Sequence, residues 1–97
     1  MTVITVVSAM VETDAEAALV DGFRQLIADD KPDGLQSSQL LRGPGGLWQI
    51  QTVWRDREAL DRMRAAPEPP AAPRLSRRIG ADPTLQIFDV EASTADA

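Results

Sequence analysis

The stretch Leu40-Leu41-Arg42-Gly43-Pro44-Gly45-Gly46-Leu47-Trp48-Gln49-Ile50-Gln51-Thr52-Val53-Trp54-Arg55-Asp56-Arg57-Glu58-Ala59-Leu60 reads as strand, tight turn, strand and capped helix. Gly43-Pro44-Gly45-Gly46 supplies the residues a reversal needs, because proline pre-sets its own φ and glycine tolerates positive φ. Residues 47–55 then make one long strand. Period-two alternation puts Trp48, Ile50, Thr52 and Trp54 on one face and Leu47, Gln49, Gln51 and Val53 on the other. Asp56 is a strong N-cap type, and it opens a short helix over 57–65 that buries Ala59, Leu60 and Met63.

Upstream of this unit, residues 2–10 are β-branched and apolar with little alternation, which suits a strand covered on both faces. Thr13-Asp14-Ala15-Glu16 matches a capping box, with Thr13 or Asp14 as N-cap and Glu16 reaching back. Behind it Ala15, Ala18, Leu19, Gly22, Phe23, Leu26 and Ile27 form an apolar stripe at helical spacing. Asp29-Asp30-Lys31-Pro32-Asp33-Gly34 ends that helix, since Pro32 disfavours helical geometry at Lys31. Residues 35–42 form the strand leading into the glycine turn.

Downstream, residues 67–73 are too proline-rich to continue a helix; they read as a rigid linker or as a lid over a pocket mouth. One or two helical turns follow over 74–80. Leu85-Gln86-Ile87-Phe88-Asp89-Val90 is the last strand. Residues 1–91 form one domain, and 92–97 read as a flexible tail.

The order is β-α-β-β-α-β, an α+β ferredoxin-like arrangement with an antiparallel sheet. Helices on one side leave the other sheet face bare, and strands one, three and four carry large apolar residues on both faces. A second copy joined back to back would cover that face, so a homodimer is expected.

Composition narrows the chemistry. The 97 residues contain no cysteine and no histidine. Disulfides, thiolate metal sites, imidazole bases and a histidine-ligated haem are thereby excluded. No Asp/Glu spacing suggests a magnesium or calcium site, so no metal is expected. A net charge of −5 argues against a nucleic-acid partner. No apolar run is long enough to span a bilayer, and the first residues lack a basic leader, so a cytoplasmic protein is expected. Arg55, Arg57, Arg62, Arg64, Arg74, Arg77 and Arg78 cluster between the second Trp and the last strand. They read either as a solvated face interleaved with acids, or as a source of one or two cations for an anionic or phenolic ligand.

The chain resembles the antibiotic-biosynthesis monooxygenase-like family of dimeric α+β barrels. The resemblance is carried by the apolar first strand, Pro32-Asp33-Gly34-Leu35, Leu40-Leu41-Arg42, the strand ending Trp54-Arg55-Asp56-Arg57-Glu58-Ala59-Leu60, and Ile87-Phe88-Asp89-Val90. It implies a cofactor-free oxygenase acting on a small aromatic, polyketide-like or quinol molecule, with Trp54 lining the pocket. This chain departs from the family's polar positions: Thr52 stands where Glu is frequent, Ile50 where some members have Asn, and Met63 near a frequent His.

In such chemistry the substrate supplies the electrons, and the protein supplies a dry pocket and hydrogen bonds to developing charge. Trp54, Arg42 and Thr52 are the candidate catalytic residues. Trp48, Gln39, Gln49, Gln51, Met63 and Phe23 are the candidate substrate-binding residues. Both tryptophans also suit a core or a dimer interface, and Met63 suits core filling. Gln49 and Gln51 need polar partners, from a dimer or from a ligand. The competing reading is a non-catalytic small-molecule-binding or interaction module on the same dimeric fold.

Overall fold

Strand β1 (Val3–Met10) runs through the middle of the sheet. Its neighbours are β3 (Leu47–Trp54) on one side and β4 (Thr84–Asp89) on the other, with β2 (Leu35–Arg42) outside β3. All three pairings are antiparallel and give the order β2-β3-β1-β4. This is the ferredoxin-like arrangement, and it appears in a computed structural model that describes residues 1–28, 31–65 and 71–93.

Three helices cover one face: α1 (Glu16–Ala28), α2 (Arg57–Arg64) and α3 (Ala71–Arg78). Register then decides what lies beneath them. Val3 faces Trp54, Thr5 faces Thr52, Val7 faces Ile50 and Ala9 faces Trp48, and all eight are buried. The residues between them point to the uncovered face. There Val6 is buried by its strand neighbours, while Met10 is 62 % exposed and Phe88 50 % exposed.

Two core clusters share the covered face. Under α1 and α3 lie Val7, Ala9, Val11, Leu19, Phe23, Trp48, Ile50 and Leu75. Under α2 lie Val3, Trp54, Ala59 and Leu60, with Leu35, Met63 and Ile87 packed against them. Glycine permits the closest approach at each end. At Gly22 a Cβ would meet the Leu75 side chain, so α1 and α3 can touch only without one. At Gly34, φ is +87° and a Cβ would collide with that of Ala59.

Local expectations need correction at two places. Glu12, not Thr13 or Asp14, precedes the first helical turn, which is a 3-10 turn over Thr13–Ala15 with no side-chain cap. Glu16 is not free to complete a capping box, because its carboxylate accepts a hydrogen bond from the Trp48 indole N–H at 3.0 Å. A tertiary partner has displaced a local one. The third helix also begins earlier than expected, at Ala71 rather than 74. Pro73 therefore sits in a first turn, where the backbone N–H has no intrahelical partner to lose. The rest of the proline-rich segment, residues 66–70, and the end of the tail, 94–97, lie outside the described residues, as do Asp29 and Asp30. The Asp56 cap is present as expected: its Oδ1 accepts from the Ala59 N–H at 2.8 Å.

Among the described residues, Ala18 and Ile27 of the α1 stripe are exposed. No helix among those residues is long and apolar enough to cross a membrane.

Candidate active site

Between the two core clusters the sheet is left open as a cleft of about 100 Å³. Its floor is sheet: Thr5 and Val7 of β1, Leu35 and Ser38 of β2, and Ile50, Thr52 and Trp54 of β3. Its walls are Leu26 of α1 and Leu60, Met63 and Arg64 of α2, and Pro32 and Leu85 complete the lining. An apolar cavity of ~150 Å³ takes up benzene. This cleft has about two-thirds of that volume and is open on one side, so it takes at most one aromatic ring, and any larger ligand must extend through the mouth.

A line of hydroxyl groups crosses the apolar floor. Ser38 is registered with Thr52, and Thr52 with Thr5, so three neighbouring strands place one hydroxyl each side by side. Thr5 and Thr52 are both 7 % exposed. Ser38 Oγ lies 3.0 Å from Thr52 Oγ1, close enough for one to donate to the other. Thr5 Oγ1 accepts the buried Trp54 indole N–H at 3.2 Å. A hydroxyl has one proton and two lone pairs. Thr5 uses a lone pair on Trp54 and keeps its proton; the Ser38–Thr52 pair uses one of its two protons on itself. Two O–H donors thus remain on the floor. Directly opposed Cβ atoms in an antiparallel pair stand about 4.5–5.5 Å apart, a spacing that lets one ligand oxygen accept from both sides.

No family sequence model matches the chain, and no curated protein matches it in sequence. Solved structures do match it closely in shape. A variant of SnoaB, a cofactor-independent oxygenase from Streptomyces nogalater, superposes with a TM-score of 0.76 at 22% identity, covering 98% of each chain. Rv0793 from Mycobacterium tuberculosis gives 0.73 at 21% identity, covering 98% of this chain and all of that one. An antibiotic biosynthesis monooxygenase gives 0.67 at 18% identity, covering 93% of this chain and 99% of the other.

The chain has the antibiotic-biosynthesis-monooxygenase fold.

Within that fold, Trp54, Thr52 and Met63 line the cleft. Trp54 is 3 % exposed, so it is at once core and cleft wall. The other named residues stand elsewhere. Arg42 does not join Trp54 and Thr52: it is registered with Trp48 at the far end of the hairpin and lies over that indole, 4.7 Å from the ring centroid. Trp48 and Trp54 are six positions apart along the strand, on the order of 20 Å. Trp48 itself is 5 % exposed, held by Arg42 from above and by Glu16 at its N–H. Phe23 is buried in the core cluster under α1 and does not line the cleft. Gln39 and Gln51 lie on the uncovered face and bond to each other, Gln39 Nε2 donating to Gln51 Oε1 at 3.1 Å. Gln49 does not line the cleft either.

Thr5 and Ser38 are cleft residues that reading the sequence missed, whereas Arg64 is one of the arginines that the sequence offers as a source of a ligand cation. One signal was present for Thr5, a polar residue in phase with Val3 and Val7 within an apolar strand. Ser38 could not be placed, because β2 carries an irregularity between Leu35 and Ser37 that shifts its phase.

Electrostatics are concentrated beside the cleft. Arg55 reaches Asp33 at 3.9 Å and Asp56 at 3.5 Å. Arg62 reaches Asp33 at 3.6 Å and Glu58 at 3.1 Å, and Arg57 reaches Asp61 at 3.4 Å. These pairs are solvated and individually weak. Together they tie the loop before β2 to α2, which holds that end of the cleft. The Asp56 carboxyl is held below its usual value of 3.8, first by the bond it accepts from the Ala59 N–H; desolvation opposes this next, and Arg55 and Arg62 then lower it further.

Proposed function

We propose that the chain is a cofactor-independent monooxygenase that holds a phenolic ring in the cleft and delivers it to dioxygen. The observation that supports this most is the line of hydroxyl donors on the floor of an otherwise apolar cleft, on a fold shared with a cofactor-independent oxygenase. A ligand oxygen seated between Thr5 and Thr52 accepts two hydrogen bonds, and these strengthen as that oxygen gains negative charge. The phenolate so favoured transfers electrons from its ring system to dioxygen. Where the phenol activates a ring methylene, that methylene and one dioxygen give a ketone and one water. Both C–H bonds of the methylene break, one oxygen atom enters the product as the carbonyl, and the other leaves as water with the two hydrogens. Trp54, fixed through Thr5, forms the flat wall against which the ring lies.

A second reading, a carrier or binding module, is favoured by one specific observation. Among the described residues, the cleft lining contains no carboxylate to take up the phenol proton. On that reading the same hydroxyls bind the ligand without turnover.

We also infer a homodimer formed through the uncovered sheet face. That face presents Ile4, Met10, Leu41, Leu47, Val53 and Phe88, an apolar surface that a second copy would bury.

Oxygen uptake by the metal-stripped protein against anthrones, hydroquinones and naphthols separates the two readings. Uptake above background that falls with Thr52→Val supports the oxygenase. Tight binding of the same compounds with no uptake refutes it in favour of the module.

A further inference from the structure

We propose that the cleft selects aromatic ligands carrying a carboxylate, and that Arg64 of its lining is the residue that reads the charge. This rests on the cleft being the ligand site. Three observations lead to Arg64.

Among the described residues lining the cleft, Arg64 alone is charged; the others are apolar side chains and hydroxyls. Its neighbours on and beside α2 are already engaged. Arg55 pairs with Asp33 and Asp56, Arg57 with Asp61, and Arg62 with Asp33 and Glu58. Arg64 makes no ion pair among the described residues, in a chain of net charge −5 where acids outnumber bases. A role in balancing the C-terminal end of α2 does not require it, because Arg62 stands in the same last turn.

The third observation is size. With room for at most one ring, the cleft leaves the rest of a ligand toward solvent, and Arg64 is a lining residue that is itself exposed there. A guanidinium offers five N–H donors in a fork that fits a carboxylate with two parallel bonds. The ligand class is then defined at both ends: a ring oxygen that accepts from Thr5 and Thr52, and a carboxylate on the edge facing α2.

The test compares 2-naphthol with 6-hydroxy-2-naphthoate, which adds a carboxylate at the far end of the ring system from the hydroxyl, using calorimetric titration of the wild-type protein, Arg64→Gln and Arg57→Gln. An exposed charge pair of this kind is expected to favour the acid by about two- to fivefold at low salt. The preference should shrink as salt shortens the Debye length toward ~3 Å near 1 M. Arg64→Gln should remove the preference by weakening the acid's binding more than that of 2-naphthol, with a melting temperature near that of the wild type. Arg57→Gln, whose partner is Asp61 away from the cleft, should keep it. Equal affinity of the wild type for both compounds, or a preference that survives Arg64→Gln, overturns the assignment of Arg64 while leaving the cleft as the ligand site. Binding of neither compound overturns both.

Discussion

Replacing Thr5 by Val tests whether the hydroxyl line orients the cleft or merely decorates it. Valine keeps the shape of threonine and exchanges the hydroxyl for a methyl. The Trp54 N–H, which donates to Thr5 Oγ1 at 3.2 Å, then loses its acceptor on a side chain only 3 % exposed. Stranding a buried donor costs about 1–3 kcal/mol. The new methyl, buried at a site 7 % exposed, returns at most about 0.8 kcal/mol. The net loss is therefore about 1 kcal/mol, a fall of roughly 4–8 °C in Tm for a domain of this size. Thr52→Val supplies the internal comparison. Its partner Ser38 is only part-buried and can turn its hydroxyl toward solvent, so the same exchange should cost within about 0.5 kcal/mol. Urea unfolding followed by tryptophan fluorescence measures both. Near-UV circular dichroism reports whether the Trp54 indole has lost its fixed setting. Equal costs for the two variants, with an unchanged near-UV spectrum for Thr5→Val, would refute the claim that Thr5 anchors Trp54.

Three further outcomes are expected. Gly34→Ala places a Cβ at φ +87° and against Ala59, combining a left-handed penalty of about 1–2 kcal/mol with overpacking of about 1–3 kcal/mol; Gly45→Ala, at φ +67° with open space around it, should lose only the first part, and urea titration distinguishes them. Asp56 has a folded pKa below its unfolded value near 3.8, so its contribution is present above that value and is lost as pH falls through the lower, folded one; Asp56→Asn, which still caps, should flatten this part of an acid titration followed by circular dichroism, and an unchanged profile would count against the cap. Phe88→Lys, on the uncovered face at 50 % exposure, should shift sedimentation at micromolar concentration from dimer to monomer, and a wild type already monomeric there would refute the dimer.

Much of the element order was legible from local pattern. The glycine turn, the alternating strand ending at Trp54 and the Asp56 cap are decided by residues within a few positions of one another, and each occurs where expected. The capping box failed because a long-range partner, Trp48, competes for Glu16 across 32 residues. Helical spacing likewise assigned Phe23 correctly to an inward face but could not say which cluster it joins.

The sequence by itself determined the strand and helix order, the two faces of β3 and, through its lack of cysteine and histidine, the chemistry the chain cannot perform. Only the tertiary structure decided which polar groups meet. Thr5 and Trp54 are 49 residues apart, and Ser38 reaches Thr52 only because β2 is out of phase at its start. Arg42 and Trp54 lie on paired strands yet at opposite ends of them. Strand register and helix placement are set by burying the whole apolar surface at once, a condition no local stretch of residues contains.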